Sequence, residues 1–75
     1  MFQDKTKVKA SARSQLKPGV EFTKVVQMDD GLFGVITPTD ELEPCLEQVV
    51  GDWTKQGDKK VWNENTQFDP NRILI

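Results

Sequence analysis

The chain is 75 residues long, enough for one small domain. Its 12 acidic and 10 basic side chains leave a formal charge of −2, with no histidine and a single cysteine. That residue set excludes histidine acid–base catalysis, nucleophile–histidine pairs and zinc sites of the usual nitrogen–sulfur type.

At this size a folded chain buries only about 60% of its extended surface, so a small stability margin is expected. The 36% of apolar residues suffice for one modest core. Cys45 has no partner for an internal disulfide, which predicts a reducing, cytoplasmic setting. No apolar run approaches the roughly 18 residues of a spanning helix, and no apolar segment follows the basic N-terminus as in a secretory signal. From Met1 to the apolar Ile73-Leu74-Ile75 the chain reads as a complete small gene product.

Residues 1–16 alternate Thr6, Val8, Ala10 and Ala12 with Lys5, Lys7, Lys9, Ser11 and Arg13. A period of two predicts an edge strand, and side chains that small equally suit a flexible basic arm. Lys17-Pro18-Gly19 predicts a turn, with proline fixing one φ and glycine accepting a positive one. The β-rich runs 20–28 and 32–37 flank Asp30-Gly31 and predict a hairpin. A two-residue Asp30-Gly31 loop pairs Met28 with Phe33 and Val26 with Val35; if Asp29 joins the loop, the register slips by one.

Leu42, Leu46, Val49, Val50 and Trp53 follow the 3.6-residue helical period. They predict an amphipathic helix that opens after Thr37-Pro38-Thr39-Asp40, tolerates Pro44 only in its first turn, and closes at Gly57. Val49, Val50 and Gly51 are poor helix formers, so packing rather than propensity must hold that segment. One or two short strands complete the chain, Ile73-Leu74-Ile75 resembling a buried one, with a turn at Asp69-Pro70-Asn71 before it. The expected fold is α+β: a small antiparallel sheet, or an SH3-like partly open barrel, with one amphipathic helix over residues 17–75.

The charges are segregated along the chain. Residues 1–24 carry Lys5, Lys7, Lys9, Arg13, Lys17 and Lys24 against Asp4 and Glu21, whereas residues 29–53 carry seven carboxylates and no cation. Polarised surfaces steer partners. The leading expectation is therefore a non-enzymatic binding protein that modulates a larger protein with a basic surface, as an inhibitor, adaptor or accessory factor. Asp29, Asp30, Asp40, Glu43, Glu47 and Asp52 would form the contact, most of them as a ridge on the predicted helix.

A second class is a single-strand or RNA-binding module that uses Lys5, Lys7, Lys9, Arg13, Lys59, Lys60 and Arg72 for phosphate and Trp62 and Phe68 for bases. A pI of about 5.0 speaks against it, and a solvated arm over an aromatic core explains the same residues. A third is a structural subunit whose edge strands pair between copies.

Other motifs carry little chemistry. Cys45 sits among Glu41, Glu43 and Glu47, which oppose a thiolate, so it reads as a partly buried small apolar residue. The acidic residues lack the spacing of a calcium loop, and Gly31-Leu32-Phe33-Gly34 lacks that of a phosphate loop. No cofactor, metal, membrane or small-molecule substrate is expected.

Overall fold

The computed structural model describes residues 2–72. Helix α1 (Lys5–Gln15) precedes strands β1 (Phe22–Gln27), β2 (Phe33–Ile36), β3 (Val49–Gln56) and β4 (Lys59–Glu64), with 3₁₀ turns at Leu46–Gln48 and Pro70–Arg72. The strands form one antiparallel sheet in the order β2-β1-β3-β4. Among the described residues it is an open sheet with β2 and β4 at its edges, an α+β arrangement with one α-helix.

Residues 5–15 are a helix, not the edge strand or arm that alternation suggests. Asp4 Oδ1 caps the first turn by accepting from Thr6 N–H at 2.8 Å. Val8, Ala12 and Leu16, four residues apart, are fully buried, so a narrow helical stripe outweighs the period of two. Lys17 O then accepts from Val20 N–H at 2.9 Å, and Gly19 has φ +90°, as a type II turn with proline at its second position requires.

The β1–β2 hairpin is present in the slipped register. Gln27 faces Phe33, Val26 faces Gly34 and Val25 faces Val35. Asp29 belongs to the loop, which closes through Met28 N–H to Leu32 O at 2.8 Å and Gly31 N–H to Met28 O at 2.9 Å. Asp30 Oδ1 also accepts from Leu32 N–H at 3.0 Å. These bonds favour the five-residue loop and turn Val25, Phe33 and Val35 toward α1 and Val26, Gly34 and Ile36 to the far face.

The helix expected over 42–53 does not form. Residues 37–45 are a loop, Leu46–Gln48 a single 3₁₀ turn, and Val49–Gln56 a strand. Leu42 and Leu46 are 61% and 51% exposed, so the helical spacing marks no buried face. β-Branched Val49, Val50 and Thr54, with Trp53, prefer the pleated sheet, and Pro44 disfavours helical backbone angles at Glu43. Gly57 is a turn glycine: Gln56 pairs with Lys59 across Gly57-Asp58, and Gly57 has φ +63°, as the first loop residue of a type II′ hairpin does.

Gly51 serves a different need, because a Cβ there would lie 2.6 Å from Asn63 O and overlap the Trp62 ring. A bulge at Val25/Val26 leaves Val50 as the extra residue of β3. Val50 joins Val8, Ala12, Val25 and Phe33 in the core between helix and sheet. Asn65 Nδ2 donates to Leu46 O and Val49 O, and Asp69 N–H donates to Glu47 O, tying segment 65–69 to the start of β3. The strand expected at 73–75 lies outside the described residues.

Candidate functional site: two faces of one sheet

The helix-side face gathers cations over aromatic rings. Lys5, Lys9 and Arg13 repeat every four residues and so share one edge of α1. Lys5 Nζ lies 5.7 Å from the Phe68 centroid, Lys9 Nζ 4.7 Å from Trp62 and 6.0 Å from Trp53, and the Arg13 guanidinium 5.8 Å from Trp53. Each separation is within cation–π range. Trp53 and Trp62 are cross-strand partners, with tilted rings 5.4 Å apart.

Three sheet side chains also donate to helix carbonyls. Thr23 Oγ1 bonds Ala12 O at 2.8 Å, Trp53 Nε1 bonds Lys9 O at 2.9 Å, and Lys60 Nζ bonds Arg13 O at 2.8 Å. The Ala12 and Arg13 carbonyls belong to the last turn, where a helix runs short of internal partners, and Arg13 O also accepts from Leu16 N–H at 3.2 Å. Side chains on β1 and β4 thus bond the end of α1, and Trp53 on β3 bonds its middle.

The far face is partly apolar and is covered by the acidic segment 37–48. Val26 and Ile36 remain buried there because loop 37–48 folds across them. Val26, Met28, Ile36, Leu42, Glu43 and Pro44 line an open groove of ≈ 180 Å³. That is below the roughly 300 Å³ of a drug-sized ligand site and suits one protruding side chain. Thr37 N–H and Oγ1 bond Asp40 Oδ2 at 2.8 and 3.2 Å, while Cys45 N–H bonds Gln48 Oε1 at 2.9 Å. Gln48 Nε2 reaches Gln27 O at 3.4 Å, and together these bonds hold the loop.

The acidic residues do not form a helical ridge. Asp29 and Asp30 are exposed in the β1–β2 loop, Asp40 and Glu43 in loop 37–48, and Glu47 in the 3₁₀ turn. Asp52 is half-buried on the far face of β3, directly opposite Lys24 of β1. Asp30 and Asp40 accept backbone bonds, and Glu43 is the carboxylate of this set that lines the groove. No Lys or Arg occurs between Lys24 and Lys55.

Of the expected nucleic-acid set, Lys5, Lys9, Arg13, Lys60, Trp62 and Phe68 come together. Lys7 is exposed outside this stripe, Lys59 is exposed at the start of β4, and Arg72 lies in the C-terminal 3₁₀ turn. Sequence reasoning missed Trp53 as a member. Its signal is symmetry: Trp53 and Trp62 are equidistant from Gly57-Asp58, as hairpin partners must be.

Cys45 is exposed rather than partly buried. Among the described residues, no three potential metal-binding side chains converge and no helix is long and apolar enough to cross a membrane. Comparison with known proteins finds no match to a family model, a curated protein or a solved structure.

Proposed function

We propose that this chain is a small, non-enzymatic, cytoplasmic binding protein that modulates a larger protein through its far face. The partner presents a basic surface with one apolar side chain that enters the groove between loop 37–48 and the β1–β2 hairpin. The observation that carries this reading is the pairing of an apolar floor, Val26, Met28 and Ile36, with a rim that includes Glu43 and belongs to a chain stretch without cations. Apolar contact anchors such a complex, while charge sets its approach and orientation. Lys24 offsets Asp52 locally, so the attraction centres on loop 37–48. The test is capture of a protein partner at about 50 mM salt and its weakening as the Debye length shrinks. Retention of no partner at low salt contradicts the reading.

The cation–aromatic row supports a second reading, a single-stranded nucleic-acid module on the helix side. Lys9 and Arg13 already occupy the tryptophan faces, so a base must displace them to stack. Titration with an oligonucleotide quenches tryptophan fluorescence if this occurs, and affinity then falls steeply with salt. Unchanged fluorescence with no mobility shift removes the reading.

A further inference from the structure

The two sheet edges are finished differently. At β2, Phe2 bridges Phe33 through Phe2 N–H to Phe33 O at 3.0 Å and Phe33 N–H to Phe2 O at 2.7 Å. At β4, no backbone group from elsewhere in the described residues bonds the outer edge of its six residues. An open edge of that length is a template for another strand.

We propose that β4 pairs with β4 of a second copy, antiparallel and centred on Trp62, so that the two sheets become one across a two-fold axis. This inference is independent of the far-face reading. Directly opposed residues in an antiparallel pair share a face. Lys60, Trp62 and Glu64 alternate onto the helix side, where Lys60 bonds Arg13 O and Trp62 lies under Lys9. Centring on Trp62 sets each Lys60 opposite Glu64 of the partner subunit, while each Trp62 ring stays over Gly51 of its own β3. Centring on Val61 sets Glu64 against Asp58 of the partner subunit, and centring on Asn63 removes both ion pairs. Charge therefore selects one register.

Lysine on an edge strand ordinarily deters pairing, but here each Lys60 meets an anion. Its ammonium has three donors and spends one on Arg13 O, while one Glu64 oxygen accepts from Trp62 Nε1 and the other is available. The two α1 helices would lie on one side of the joined sheet. With β3 and β4 of both copies between them, their separation is on the order of 25 Å, beyond a Debye length of about 10 Å at 0.1 M salt. The pairing buries little surface, so a dissociation constant on the order of 10–100 μM is expected.

Sedimentation equilibrium of the full chain across that range tests the proposal. The apparent mass should rise toward twice 8.5 kDa with concentration. K60E and E64K should each weaken association at least about tenfold, because each creates two like-charge pairs. An equimolar mixture of the two variants should associate again, since the carboxylate placed at position 60 of one then meets the ammonium placed at position 64 of the other. The K60E/E64K double variant should behave as the natural chain. Far-UV circular dichroism checks that the single variants fold. A natural chain that stays monomeric at about 1 mM, or folded variants whose mixture stays monomeric, overturns the proposal.

Discussion

Lys9 Nζ stands 4.7 Å from the centroid of the Trp62 ring, so a helical cation and a strand aromatic join α1 to β4 across the open part of the sheet. The same lysine's carbonyl accepts from Trp53 Nε1, placing one residue of α1 over both tryptophans. Replacing Lys9 by Met keeps the aliphatic stem and removes the charge. The expected loss is about 0.5–1 kcal/mol, with most of it absent when Trp62 is already Leu. A double-mutant cycle in urea measures that coupling; a coupling of zero means the ammonium does nothing for the helix.

Thr23 is fully buried and donates to Ala12 O in the last turn of α1. Thr23→Val preserves the shape and leaves that carbonyl without its donor. A loss of about 1–3 kcal/mol is expected, with faster amide exchange in the last turn of α1. Chemical denaturation and hydrogen exchange check it, and an unchanged midpoint refutes the capping role.

The middle of the chain offers a sharper contrast. Leu42→Ser and Leu46→Ser are expected to change stability by less than about 0.5 kcal/mol, because both side chains already face solvent. Val50→Ala is expected to cost about 1–3 kcal/mol from a fully buried site. A helical segment with one apolar stripe requires comparable losses at all three positions. Denaturant titration of the three variants separates the alternatives.

That contrast shows where the sequence is legible. The β1–β2 hairpin announces itself through β-branched runs around Asp30-Gly31, and the turn at Lys17–Val20 follows from Pro18 and Gly19. The two assignments that fail do so for one reason: period counting weighs residues that the tertiary structure leaves outside. Leu42 and Leu46 supply the helical beat of 42–53 yet are exposed, while Ala10 supplies the strand beat of the N-terminal segment and is exposed in a helix. The poor helix propensity of Val49, Val50 and Gly51 is the better guide to β3. In the candidate site, the clustering of cations on the helix side depends on Lys5, Lys9 and Arg13 sharing a helical edge, which becomes visible only once α1 is placed. The far-face groove needs a loop laid across a sheet, a nonlocal contact that no short motif encodes.

Gly51 tests the close packing of the Trp62 ring over β3. Gly51→Ala forces the new methyl against Trp62 and the Asn63 carbonyl, and an overpacking loss of about 1–3 kcal/mol is expected. Near-ultraviolet circular dichroism should change with it, since the ring must move. At Gly57, where φ is positive but space is open, Gly57→Asn should be tolerated better than Gly57→Val. A thermal melt that ranks those two variants the other way contradicts the turn geometry.

Recognition through the groove and the acidic segment 37–48 is tested by comparing two charge reversals. One variant carries Glu43→Lys and Glu47→Lys; the other carries Lys5→Glu, Lys9→Glu and Arg13→Glu. Both are used beside the natural chain to capture partners from the same extract at low salt, after circular dichroism shows that each is folded. A partner held by the natural chain should be lost from the first variant and kept by the second. A partner kept by the first and lost from the second contradicts it.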